Sequence, residues 1–295
     1  MSTDPASRPS EGRSPAGGDP GVPHPVPGEE VVIHVEDVTL SFPGAGAVLD
    51  GVSFHVHRGE SVVIMGQSGC GKSTLLKVLL GVYRPDSGVV RINGVDITRV
   101  SRKEKDKLRK GIGVLFQSGA LYNSLTVAEN VALPLQEHTR LDRRIIDIMV
   151  KMKLELVGLR DFEHLMPSEL SGGMKKRVGL ARAVSLDPEI LFYDEPGAGL
   201  DPIMTGVIDQ LIMDLSHKLG VTSVVVTHEM QSAFKIADRL AMLHDGRIVA
   251  WGTAEDLRNT EDEVVRQFIT GAPDGPIPLR LSIMDYAEDL LKERE

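Results

Sequence analysis

Gly66-Gln67-Ser68-Gly69-Cys70-Gly71-Lys72-Ser73 fits the pattern G-x-x-x-x-G-K-[ST], and Thr74 follows with a further hydroxyl. Glycines at this spacing let a backbone curl until its N–H groups converge on phosphate oxygens, at the positive end of the helix that follows. In that geometry Lys72 reaches the β- and γ-phosphates of a nucleotide, Ser73 ligates Mg2+, and Thr74 lies beside the α-phosphate. The flanks agree: Ser61–Met65 reads as a β-branched strand and Lys72–Leu80 as a helix. Without those flanks the plainer reading is a glycine-rich turn with an incidental lysine. Cys70 stands at a tolerant position as a small filler. The sharper alternative is a reactive thiol at a helix N-terminus, shielded by bound nucleotide.

Downstream, Ile190-Leu191-Phe192-Tyr193-Asp194-Glu195 is an apolar strand ending in two carboxylates. Side chains alternate along a strand, so the two cannot do the same job. Asp194 is the better candidate to hold Mg2+, and Glu195 to orient or deprotonate an attacking water. Alone, such a pair could equally be polar residues closing a buried strand.

The surrounding pattern predicts an α/β fold. Short β-branched runs at Val31–Val35, Val38–Phe42 and Val52–Val56 precede the glycine loop. Between about 118 and 171 helical signals take over. Ser101-x-x-Glu104 and Thr126-x-x-Glu129 look like capping boxes, and Leu141, Ile145, Ile148, Met149, Met152 and Leu156 recur at helical spacing. Alternation then returns with helix Gly173–Ser185, strand Ile190–Asp194, helix Pro202–Leu219, strand Ser223–Thr227 and helix Gln231–Ala237. This βα order predicts a mainly parallel sheet covered on both faces, with a helical insertion. The main domain is expected over 30–271. Seven of the 17 prolines fall in the first 27 positions, so 1–29 reads as disordered. Residues 272–295 read as a tail, its three prolines between 273 and 278 holding the link extended.

Composition bounds the rest. The chain has 295 residues, is 41% hydrophobic and 25% charged, and contains one cysteine, which forbids an internal disulfide and fits a reducing compartment. No apolar run approaches the roughly 20 residues that cross a bilayer, and no signal peptide is expected. A net charge of −9 argues against nucleic acid as a partner. The basic stretch from Arg99 to Lys110 reads as a solvated helix face.

Leu170-Ser171-Gly172-Gly173-Met174 resembles the LSGGQ signature of ATP-binding-cassette ATPases. Chemically, Ser171 with the N–H groups of Gly172 and Gly173 makes a second anion-binding helix start. The resemblance implies a RecA-like parallel core of the P-loop NTPase class, an N-terminal antiparallel β subdomain and a helical subdomain. It further implies a head-to-tail homodimer in which each ATP lies between one subunit's glycine loop and the other's signature. Phe42 is similar to the family's adenine-stacking aromatic, with a core phenylalanine as the plainer alternative. Gln117 resembles the glutamine that touches Mg2+ and the water, and His228 the switch histidine that senses the γ-phosphate. Gly199-Leu200-Asp201 is similar to the loop that crosses to the partner. Gly197-Ala198 departs from the family's commoner hydroxyl-bearing pair, and Met174 from its glutamine.

Longer segments narrow the resemblance: Leu115–Leu121, Pro134–Thr139, Leu165–Leu170 and Asp274–Pro278 look like those of the ATPase of bacterial Mla-type systems, which use MCE proteins to move phospholipids. This implies two ATPases with two permease chains and a periplasmic MCE ring; a small STAS-domain protein often binds ATPases of this kind. The place implied is the cytoplasmic face of the inner membrane, held peripherally. Leu279–Leu291 is expected to dock on the neighbouring ATPase. A cassette for another cargo, such as an amino acid or a toxic organic compound, and a soluble cassette of DNA repair, chromosome organisation or translation are the alternatives.

Overall fold

A computed structural model describes residues 30–44 and 46–277. The expected disorder of 1–29 and the docking of Leu279–Leu291 lie outside the described residues. The chain runs β1 (Val31–Phe42), β2 (Gly46–His57), β3 (Ser61–Met65), α1 (Lys72–Leu79), β4 (Ser87–Ile92), β5 (Val95–Asp96), α2 (Arg102–Arg109) and β6 (Ile112–Leu115). Then come α3 (Val127–His138), α4 (Arg143–Leu156), α5 (Gly172–Ala183), β7 (Ile190–Asp194), α6 (Pro202–Leu219) and β8 (Thr222–Thr227). It closes with α7 (Met230–Ile236), β9 (Arg239–His244), β10 (Arg247–Gly252), α8 (Ala254–Arg258) and α9 (Glu263–Thr270).

Two sheets organise the molecule. One is antiparallel, in the order β2-β1-β4-β5; the other has the order β10-β9-β3-β8-β7-β6 and is parallel except for β10. The runs Val31–Val35 and Val38–Phe42 form a single strand, interrupted by a register shift where Asp37 takes φ 49°. Alternation along the parallel strands assigns the two faces. Val63, Met65, Leu191, Tyr193 and Val225 pack toward the helices from α3 to α7, whereas Val62, Ile64, Phe192, Val224 and Val226 pack toward α1 and the antiparallel sheet. Both faces are covered as expected, one of them largely by sheet.

Both capping boxes form, one at α2 and one at α3 in the helical insertion: Ser101 and Thr126 accept the backbone N–H three residues on, and Glu104 and Glu129 return the bond. α2 buries none of its side chains, as a solvated basic face should. α4 differs from the simplest reading of its pattern. Its buried residues are Ile146, Val150 and Leu154, while Ile148 is 60% and Met152 63% exposed. The apolar stripe that marks the helix therefore faces outward, and a second, shorter stripe faces the core.

The link after α9 does not run out extended. The Gln267 side chain donates to the carbonyls of Ala272 (3.3 Å) and Ile277 (3.2 Å) and accepts from Ile277 N–H (2.7 Å). Three bonds to one buried amide, with Ile277 itself buried, outweigh the stiffness that three prolines lend the chain.

Candidate functional site

The C-terminal ends of the parallel strands deliver the polar residues. β3 leads into the glycine loop, β6 into Gln117, β7 into Asp194 and Glu195, and β8 into His228. In an open α/β sheet this is the edge where ligands bind. Ser68, Gly69, Gly71, Lys72, Ser73, Thr74, Gln117, Glu195 and His228 line one cleft there, of about 300 Å3, with Val48 of β2 beside them.

Gly71 caps α1 at φ 109°, ψ 0°, and a Cβ on it would lie 2.8 Å from the carbonyl oxygen of Val48. Only glycine fits there without strain. Lys72 is buried, its ammonium donating at 2.8 Å to the carbonyls of both Gly66 and Gln67. Ser73 Oγ donates to Asp194 Oδ1 at 3.5 Å. Burial, and then the adjacent Glu195 carboxylate, push the Asp194 carboxyl up, while Ser73, Lys77 and Lys72 pull the other way.

Glu195 leaves the strand with φ 48°, a left-handed conformation that costs a side-chain-bearing residue about 1–3 kcal/mol and persists only where neighbours enforce it. Its N–H donates to Val226 O at 2.8 Å, and its Oε2 lies 2.9 Å from His228 Nδ1 and accepts from His228 N–H at 3.3 Å. The Glu195 carboxylate lines the cleft, near enough to Asp194 to raise its pKa.

Other sequence candidates lie elsewhere. Ser171 caps α5, its Oγ accepting Met174 N–H at 3.3 Å; it and Gly172 are exposed, and none of Ser171, Gly172, Gly173 or Asp201 lines the Lys72 cleft. Asp201 caps α6 by accepting the N–H groups of Ile203 and Met204, both at 3.0 Å. Phe42 is half-buried, its ring edge-on to Tyr83 with centroids 5.5 Å apart, and it too is absent from the cleft lining. A Cβ on Gly197 would sit 2.6 Å from Glu229 Oε2, at the end of a flexible side chain, and 3.0 Å from Thr205 Cγ2, and nothing in the structure explains glycine in place of a hydroxyl-bearing residue.

Cys70 is decided by its surroundings. Burial pushes the thiol up, with Lys72 opposing more weakly. A raised pKa leaves less thiolate at any given pH, which favours the filler reading over the reactive-thiol one. Iodoacetamide at pH 8 should label Cys70 more slowly than an unperturbed thiol. Labelling at the free-thiol rate would contradict this.

Sequence reasoning missed Lys176 and Arg182, both on α5. Lys176 is 4% exposed and bonds the loop after Glu195; Arg182 donates to the carbonyls of Ala120 (2.8 Å) and Gly119 (2.9 Å), just beyond Gln117. A basic residue on a helix ordinarily reads as solvated, and no local pattern marks these as buried.

The sequence pattern of the family described as ABC transporter matches residues 49–198. The chain belongs to the ABC transporter family. It is 45% identical over 260 residues to the intermembrane phospholipid transport system ATP-binding protein MlaF of Escherichia coli (strain K12), covering 88% of this chain and 96% of that protein. It is 44% identical over 247 residues to the probable ribonucleotide transport ATP-binding protein mkl of Mycobacterium leprae, covering 84% of this chain and 71% of that one. Among solved structures it is similar to a dimeric ATP-binding cassette in a post-hydrolysis state, bound to ADP and Pi, with a TM-score of 0.70 and 32% identity over 75% of this chain and 98% of that one. This ABC protein is thus an ATP-binding, ATP-hydrolysing cassette with the antiparallel sheet, parallel core and helical insertion expected of one. No helix among the described residues is long and apolar enough to cross a membrane.

Proposed function

We propose that this ABC ATPase powers phospholipid transport between membranes, as a homodimer on the cytoplasmic face of a bacterial inner membrane, through two permease chains and a periplasmic MCE protein. One observation carries the dimer: Lys72, Ser73, Gln117, Glu195 and His228 line one cleft, while Ser171 and Gly172 lie exposed outside it. Two half-sites on one chain are complete only when a second copy supplies the missing half. The cargo reading leans on the similarity that spans 96% of MlaF. The name of mkl favours a ribonucleotide as the second reading, over a shorter share of that protein.

Within the composite site, Lys72 and the loop N–H groups hold the β- and γ-phosphates, and the Ser171 helix start of the other copy meets them from the far side. Ser73, Asp194 and Gln117 offer oxygen donors, with the Ser73 hydroxyl already meeting Asp194 Oδ1 at 3.5 Å, so the set fits a hard divalent cation. Bound there, Mg2+ would supply charge neutralisation at the phosphates. Glu195 orients the attacking water and accepts its proton, and His228 holds the carboxylate in place. Phe42, edge-on to Tyr83, is the aromatic offered to the adenine.

A groove of about 450 Å3 lies where the Gln117 loop meets α3, lined by Phe116, Tyr122, Leu133, Pro134 and His138 among others. We assign it to the permease, because it joins the residues that sense nucleotide to the helical insertion. The outward stripe on α4 offers a surface for a further partner of the STAS type. Tyr122→Asp should leave the isolated protein's ATPase unchanged and weaken permease assembly by about tenfold or more. Normal assembly in that variant would contradict the assignment. The cargo itself is tested by reconstitution with permease and MCE protein, following labelled phospholipid between membranes with labelled ribonucleotide as the competing cargo. Movement of phospholipid supports the proposal, and movement of ribonucleotide alone overturns it.

A further inference from the structure

α5 begins at Ser171 and carries Lys176 five residues later, about 7.5 Å along the axis. The Lys176 ammonium has three protons to donate and uses them on three carbonyls of one loop: Glu195 at 3.2 Å, Pro196 at 2.6 Å and Ala198 at 2.6 Å. A buried charge is costly unless its hydrogen bonds are made. Desolvation pushes this ammonium down, with the Glu195 and Glu229 carboxylates opposing. The convergence of three carbonyls on one point requires the loop to turn sharply, and the turn begins at Glu195, the residue held at φ 48°. Among the described residues, Lys176 is the side chain that bonds these three carbonyls.

We propose that Lys176 is a positioning residue: it ties the helix that opens at Ser171 to the loop that aims the Glu195 carboxylate, so that movement of the helix resets that carboxylate. The proposal rests on the hydrolytic role of Glu195 and adds a physical link between two half-sites. Ser171 faces the neighbouring copy's nucleotide, whereas Glu195 serves the nucleotide of its own chain. A helix is stiff over five residues, so engagement of its first turn is passed to Lys176 and on to the three carbonyls. Arg182 ties the same helix to the Gln117 loop. α5 therefore holds the backbone of both loops that reach the attacking water.

The experiment compares Lys176→Met and Lys176→Gln with the parent protein in full-length form, measuring kcat, ATP affinity and thermal midpoint, with Glu195→Gln alongside. Misplacing a reacting group by about 1 Å costs about 100-fold in rate. Lys176→Met should accordingly lower kcat about 10- to 100-fold and leave ATP affinity within about twofold, since Lys72 and its loop are untouched. Lys176→Gln, which can still donate to the carbonyls, should recover part of the loss. Should Lys176→Met not fold, the kcat-against-affinity split is read on Lys176→Gln. A kcat within twofold of the parent in the folded variants overturns the role of Lys176, and so does a loss that falls equally on ATP affinity. Near-normal turnover in Glu195→Gln would instead overturn the assignment of Glu195.

Discussion

Replacing Glu195 by glutamine lowers ATP turnover by about 100- to 10,000-fold, the range by which a positioned general base accelerates a reaction. Glutamine keeps the shape of the side chain and can still meet His228, but it cannot take a proton. The lysine, the glycine loop and the hydroxyls of Ser73 and Thr74 are unchanged, so ATP affinity stays near that of the parent. Binding without hydrolysis favours the closed dimer, since a ligand shifts an equilibrium toward the state it binds more tightly. A nucleotide-dependent dimer on size exclusion, absent or transient in the parent, is the matching observation. Turnover near the parent rate would remove Glu195 from the chemistry.

The second large effect is at Ser171. Aspartate caps a helix as well as serine does, so Ser171→Asp should preserve α5, whose first turn the Ser171 hydroxyl now satisfies at Met174 N–H. What changes is the charge. A carboxylate placed toward the phosphates of the neighbouring copy replaces a donor with a repulsive group, and loss of one such donor alone costs about 100- to 1,000-fold. ATP turnover should fall by at least that factor while the thermal midpoint moves little. Turnover at the parent rate would mean that Ser171 does not meet phosphate.

Both predictions draw on residues legible in the sequence, and the reason is physical. The glycine loop, the strand ending in Asp194-Glu195 and the two capping boxes are local devices: spacing of a few residues fixes their geometry. What stayed hidden depends on residues far apart in the chain. α4 has apolar residues on two faces, and only the fold around it decides that Ile146, Val150 and Leu154 go inward while Ile148 and Met152 stay out. Lys176 reads as a surface lysine until the loop at 195–198 is folded over it. The proline-rich link reads as extended until Gln267 is seen to hold both ends of it. The left-handed turn at Glu195 is of the same kind, because it is enforced by Val226, His228 and Lys176 together.

Mixing two damaged proteins tests the composite site most directly. Lys72→Ala breaks the glycine-loop half and Ser171→Asp breaks the other, so each variant alone should turn over ATP poorly. A heterodimer of the two has one site with both halves intact and one with neither. Equal mixing should restore turnover to about a quarter of the parent's, as random pairing of two-fold dimers requires when each site works by itself. Activity that remains at the level of the separate variants at every mixing ratio would contradict a nucleotide held between two copies.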